Sequence, residues 1–573
     1  IQQTGGTISA AKATLDAGNT IGQTAGSVIA KDTVAKAGTD VKLASSSNKL
    51  QNVTVDAQKG SATIVSANDA DGDLNVTTDG KVKDNLTITN LENGKANKIH
   101  FDKNLKAGGN ITITNEEADI EVANGTTMDA QNISLIAKNN NVNFRGGTVT
   151  AKDTVKAEAK NANVAGGTIS AKTVHAEAEK LAISGGTINA ATVEAAKAMD
   201  MTGGMIQTGT GMGTVSADSI TMSNGTMNGD DLTITSTNDI KQTGGLISAT
   251  KVTLAAGNTI DQSEEAGSVV AKDTVAKADK DVNLASRTNK LQNVTVDAKN
   301  GSATIVSAND ADGDLNVTTD GKVKDNLTIT NLENGKANKI HFDKNLKAGG
   351  NITITNEEAD IEVANGTTMD AQNISLIAKN NEKNFNVNFN GGTATAKKVY
   401  ADADKLTISA GTINAATVEA TKAMDMTGGM IQTGTGVGTV SADSITMSNG
   451  TMNGNDLTIT SKTDIKQTGG TISAAKATLD AGNTIAQTAG SVIAKDTVAK
   501  AGTDVKLASR TNKLQNVTVN AQNGSATIVS ANNVDGDLNV TTVGTVAKDL
   551  TITNLKNGKA NKIHFDKNLK AGG

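Results

Sequence analysis

The residues best equipped for chemistry recur at long intervals along the chain. Asp69-Ala70-Asp71-Gly72-Asp73 sets three carboxylates at alternate positions, as an acidic loop does when it gathers a calcium ion, and the pattern returns with Asp310, Asp312 and Asp314. A helix-flanked calcium loop also needs glycine at its sixth position and glutamate at its twelfth, where this chain has Leu74 and Gly80. In a third occurrence the first carboxylate is Asn533, ahead of Asp535 and Asp537. The pattern therefore reads as an acidic, solvated corner, and no specific calcium dependence is expected.

His100, His341 and His564 each stand in the run Ile-His-Phe-Asp, hundreds of residues apart. A metal site needs several ligands converging on one point, so these three are read as outward-facing surface residues. His175 corresponds to Tyr400, and both are expected to face outward. Arg145, Arg287 and Arg510 are the only arginines; Asn390 replaces the first, and the other two correspond to Ser46. Acid groups beside Arg or Lys in a groove would suit a polysaccharide-cleaving enzyme, but an active site has no reason to recur in near-identical tandem copies. The sequence thus assigns no catalytic, cofactor-binding or metal-binding residue, names no cofactor, and points away from an enzyme. Asn-x-Ser/Thr triplets begin at Asn52, Asn75, Asn85, Asn110 and Asn132. They could accept sugars, yet Asn also suits corners and stacks into ladders between successive strands.

The elements that hold these residues follow from composition and period. The chain has 573 residues with no Trp, Pro or Cys, one Tyr and six Phe, so its core must be built from Val, Ile, Leu and Ala. Their fixed recurrence argues against disorder. The lack of Cys excludes a disulfide framework and a thiolate metal site. A formal charge of −6, from 54 basic and 60 acidic residues without long runs, gives no basic stripe for nucleic acid. No stretch approaches the length of a transmembrane span, and no signal peptide is recognised, so the sequence is expected to be a segment of something longer.

Two periods are nested. Thr4-Gly5-Gly6 returns as Thr243-Gly244-Gly245 and Thr468-Gly469-Gly470, which divides the chain into tandem long repeats at 4–242, 243–467 and, incompletely, 468–573. Residues 60–140 are repeated without change at 301–381. The short period is marked by Gly147, Gly167, Gly186, Gly204, Gly225 and Gly245, spaced by 20, 19, 18, 21 and 20 residues. Such spacing suits one coil of a parallel β-helix, whose half-core is completed only when the next coil stacks on it.

In the coil from Gly166 to Ser184, alternation sends Ile169, Ala171, Val174, Ala176, Ala178, Leu181 and Ile183 inward and Thr168, Ser170, Thr173, His175, Glu177 and Lys180 outward. The next coil repeats this with Ile188, Val193, Met199 and Met201. The Ala-rich piece from Thr192 to Ala198 has helical propensity, but the period of two and the regular glycines favour strands. From Phe144 to Phe389 the offset between copies is 245, whereas from Leu181 to Leu406 it is 225, so the second copy lacks 20 residues, or one coil. Ser263-Glu264-Glu265 and Glu382-Lys383-Asn384-Phe385 are small insertions expected at corners. The fold expected is all-β: one continuous right-handed parallel β-helix, a solenoid over residues 1–573 with about 20 residues per coil. Roughly 27 rungs at about 4.8 Å would make a rod on the order of 130 Å long.

The repeating Gly-Gly-Thr-Ile-Ser-Ala units, followed by Val, Ala and Leu-x-Ile, with Thr, Ser and Asn decoration and almost no aromatics, resemble the repeats of the filamentous-haemagglutinin-like family of large exoproteins, over nearly the whole chain. The resemblance implies the β-helical shaft of a bacterial adhesin, secreted or at the cell surface, that attaches cells to one another or to a host surface. It also implies export through an outer-membrane β-barrel partner, or an anchor outside this segment; the family's amino-terminal secretion domain has no counterpart here. A self-associating extracellular filament or matrix subunit is the competing expectation. An ice-binding helix would need rows of Thr in coils of equal length, which spacings of 18 to 22 do not provide.

Overall fold

The computed structural model describes the chain except residues 69–71, 81, 102, 264, 266, 310–312, 322, 343, 533–535, 557–560 and 566–567. It divides into two compact units, Ile1–Asp279 and Lys280–Gly573. Each unit is a parallel β-solenoid with about twenty residues per coil, and no helix occurs among the described residues.

In the first unit the coil around Gly166 shows why this sequence winds as it does. Thr168, Ile169 and Ser170 pair in parallel with Thr187, Ile188 and Asn189, and Thr173, Val174 and His175 with Thr192, Val193 and Glu194. Leu181 and Ile183 then pair with Met199 and Met201. Every second side chain faces in, so Ile169, Val174, Leu181, Ile183, Ile188, Val193, Met199 and Met201 are all buried. The Ala-rich stretch is strand, Thr187–Ala195, followed by Ala198–Gln207. Stacking on both neighbours outweighs local helix propensity there. Ala171 departs from the expected pattern: it is partly exposed, although its register partner Ala190 is buried.

The missing coil is visible as register. In the first unit Val142 pairs with Ala162 and Ala162 with Leu181. In the second, Val387 pairs directly with Leu406. One rung is gone and the rungs around it stack as before. Coil length varies more than the glycine spacing suggests, however. Ile88 pairs with Ile113, 25 residues on, and Leu74 with Ile99, also 25 residues on. The extra residues lie in corners, as do Glu382-Lys383-Asn384-Phe385, between the strands Asn373–Ala378 and Asn386–Asp402.

The paired glycines have a steric cause. Gly167 has φ +76°, and a Cβ there would lie 2.4 Å from the Gly147 carbonyl oxygen and 2.5 Å from the Gly146 carbonyl carbon. Corner stacks on corner so closely that backbone occupies the space of a side chain. Four of the six phenylalanines add to the core: Phe101, Phe144, Phe342 and Phe389 are buried beside the expected Ile, Leu and Val, whereas Phe565 is exposed. No helix of the described residues is long and apolar enough to cross a membrane.

Candidate functional site

The histidines stand in charge clusters on the outer surface. In the first unit Ile99 and Phe101 face inward, which turns His100 outward between Asn75 of the coil before and Glu121 of the coil after. Its Nε2 lies 2.9 Å from the Asp73 Oδ2, while the Lys98 backbone N–H donates to the Asp73 Oδ1 at 2.7 Å. Glu121, nearly buried, faces the Lys98 ammonium at 3.2 Å, the Arg145 guanidinium at 3.3 Å and the His100 Nδ1 at 3.8 Å. The second unit repeats the pairing: His341 lies 2.7 Å from Asp314, and Lys339 lies 2.8 Å from Glu362. His564 stands 2.5 Å from Asp537. The histidines thus point outward as expected, but each is tied to a carboxylate of the preceding coil.

Asp69 and Asp71, Asp310 and Asp312, and Asn533 and Asp535 lie outside the described residues, so the acidic loop is seen only through Asp73, Asp314 and Asp537. Those three bind histidine and backbone. Among the described residues, no group of three or more His, Asp or Glu side chains is arranged to hold a metal ion. His175 pairs with Glu194 at 3.2 Å. Its counterpart Tyr400 lies under the Lys398 ammonium, 5.2 Å from the ring centroid, and partial burial followed by the nearby Asp402 and Glu419 charges raises its phenol above the ordinary range. Arg287 and Arg510 are exposed at corners.

Several triplet asparagines form a ladder. The Asn85 Oδ1 accepts from the Asn110 backbone N–H at 2.8 Å, the Asn110 Oδ1 from the Asn132 Nδ2 at 2.9 Å, and the Asn132 Oδ1 from the Thr154 N–H at 3.1 Å. Each amide satisfies the coil that follows it.

Two polar features escaped the sequence reading. One is a buried amide ladder. Gln23 donates to Gln3 at 3.0 Å and to Asn48 at 2.9 Å, and Gln487 repeats this with Gln467 and Asn512 at 3.1 and 2.8 Å. The available signal was the recurring Ile-x-Gln at the start of these coils, as in Ile21-Gly22-Gln23 and Ile485-Ala486-Gln487. The other is Glu358, a buried carboxylate that accepts from the backbone N–H groups of Gly335, Lys336 and Asn338. It clamps a corner in which Ala337 holds a φ of 54°.

The histidine–carboxylate and lysine–carboxylate pairs described above thus join successive coils, the arrangement of a self-supporting repeat. Residues 333–491 match the family model described as the hemagglutinin repeat. The match supports the filamentous-haemagglutinin-like repeat family for this segment. The repeat extends beyond the matched residues by internal identity, since residues 92–140 are the same as 333–381. Hemagglutinin repeats form a structural and adhesin family, typically secreted or surface-exposed, and the parallel solenoid with its tandem copies agrees with that class. No curated protein and no solved structure matches the chain.

Proposed function

We infer that this chain forms part of the shaft of a bacterial adhesin-type fibre, secreted or held at the cell surface, which carries an attachment function away from the cell. The observation that carries this reading is the direct pairing of Val387 with Leu406 where the first unit interposes Ala162. A chain that gains or loses whole coils without changing the contacts around them is selected for length and stackability, the properties of a spacer. Strand pairing confined to neighbouring coils also suits export in an extended state followed by folding outside, through an outer-membrane partner. The surface bound would be that of a host or a neighbouring cell.

Electron microscopy of the native fibre tests this. Deleting residues 243–467 from the complete reading frame should shorten the fibre in step with the coils removed and leave it anchored singly at the cell. Fibres of unchanged length would overturn the shaft reading. Unanchored polymers would instead identify a filament subunit.

A further inference from the structure

Two columns of uncharged hydrogen-bonding groups run along an outer face of each unit. In the second unit the register places Thr395, Asn414, Gln432, Asn453 and Ser473 in one column across successive coils. Beyond the bend that follows the last four, a second column starts after Lys398 and runs Thr417, Thr439, Thr458 and Thr478. Part of the bend forms an open groove: a surface depression of about 660 Å³ includes Thr395 and Ala396, and a second of about 410 Å³ continues from Ala396 past Asn414 and Ala415 to Gln432 and Gly434. Charge enters the first depression through Lys347, Asp370 and Lys397. In the corner between the columns it stands as mutually neutralised pairs, Lys172 with Asp153, Lys251 with Asp231 at 3.0 Å and Lys476 with Asp456 at 3.3 Å, the last two beside Met212 and Val437 in register.

The first unit repeats both columns, with Thr150, Ser170, Asn189, Gln207, Asn228 and Ser248 in one, and Thr154, Thr173, Thr192, Thr214, Thr233 and Thr253 in the other. In both units the corner between the columns carries the most exposed large apolar side chain among the described residues. These are Met212, 76 % exposed, between Gln207 and Thr214, and Val437, 69 % exposed, between Gln432 and Thr439.

We propose that this corner binds an extended, uncharged polysaccharide lying along the stacking direction, with one sugar per coil. Successive rungs of a β-sheet are about 4.8 Å apart, and an extended, equatorially linked glycan advances by nearly the same distance per sugar. A peptide strand repeats its side chains on one face at about 6.6 Å and would drift out of phase. Nucleic acid needs a basic stripe, and these columns are neutral. Hydroxyls and amides at every rung match sugar hydroxyls, and the apolar tip of Met212 or Val437 suits the C–H face of a ring. No aromatic platform is present in either column, so each sugar contributes little and affinity rests on the number of rungs engaged. The proposal is separable from the shaft reading, since a shaft with an inert corner is still a shaft.

The test uses the whole chain with cellohexaose and chitohexaose as probes, read by ligand-observed NMR and calorimetry. Maltohexaose, which curls, and hexagalacturonate, which is charged, are the comparators. Saturable millimolar binding of an extended neutral hexaose is expected, with two sites per chain. The combined change Asn189→Ala, Gln207→Ala, Asn414→Ala and Gln432→Ala should weaken it about tenfold, the loss of one or two hydrogen bonds per site. Thr192→Val with Thr417→Val, which keeps β-branching and removes one hydroxyl at each site, should weaken it without altering the melt. Failure of both neutral hexaoses to saturate, preference for hexagalacturonate or maltohexaose, or full binding by these variants would each overturn the proposal.

Discussion

Gln487 stacks over Gln467 inside the second unit, its Nε2 donating to the Gln467 Oε1 at 3.1 Å. The same amide exchanges hydrogen bonds with Asn512 at 2.8 and 2.7 Å, and its Oε1 accepts from the Ser509 N–H at 3.2 Å. All three amide side chains are buried. Gln487→Leu keeps the volume but strands the partners, and leaving buried polar groups unpaired should cost about 2–5 kcal/mol. Coils of a solenoid open locally, so the loss is expected as faster amide hydrogen exchange between residues 465 and 512, with distant coils unchanged. Unaltered protection there would show that the ladder is not stabilising.

The glycine corner makes a second expectation. At Gly167 both the positive φ and the Gly147 carbonyl oxygen, 2.4 Å from a Cβ, oppose any side chain. The backbone strain of a non-glycine residue is about 1 kcal/mol, and the clash adds to it, so Gly167→Ala should lose at least about 2 kcal/mol in the coils on either side. Gly6→Ala is the control. It shares the positive φ, at 69°, but meets nothing within 4 Å, and should show the conformational cost alone. Equal losses at the two sites would exclude close stacking as the reason for the glycine column.

How much of this was legible in advance differs by residue. Ile188, Val193, Met199 and Met201 could be placed inside from alternation alone, because an apolar side chain at every second position has one face to bury. Gln487 could not, since Gln ordinarily lies at the surface and only the coil above and below reveals that its amide is satisfied. The His100–Asp73 pair was hidden by coil length. The two residues are 27 apart, beyond the spacing of about 20 set by the glycines, so nothing local joined them. The outward Thr and Asn columns were readable one by one. Their alignment across coils needed the register.

The surface ion pairs set the response to pH. Hydrogen bonds from Lys138 to Glu116, from Lys156 to Glu177 and from Lys172 and Gln131 to Asp153 hold these carboxyls below their usual range, and the Lys562 backbone N–H, followed by His564, does so for Asp537. A carboxyl depressed in the folded state stabilises above its unfolded value, and that contribution is lost as pH falls through the folded value. Lys36, Lys138, Lys156, Lys339 and Lys462 are raised by their carboxylate hydrogen bonds. Their contribution is complete below the ordinary lysine value and disappears as pH rises through the raised one. The melting temperature should therefore be flat from about pH 5 to 9 and fall in both directions outside that window. These groups are exposed, so each effect is small and high salt should flatten the profile. A peak confined near neutrality, or insensitivity to salt, would mean that other groups dominate.

The strongest test of the architecture is to remove one whole coil, as the two copies differ by one. Residues 161–179 form the coil that pairs Ala162 with Val142 on one side and with Leu181 on the other. Removing them joins Lys160 to Lys180 and offers Leu181 to Val142, the arrangement already present as Leu406 on Val387. Each surviving strand keeps a parallel partner and the inward residues stay in phase, so the shortened chain should fold with nearly the same β-sheet circular dichroism and melting temperature. Removing only 161–170 is the contrast, because half a coil leaves the remaining strands of that rung without partners on the correct face. That variant should lose hydrogen-exchange protection from about residue 141 to 200, whereas the whole-coil deletion should retain it. If both deletions are equally damaging, the coil is not the unit by which this protein changes length.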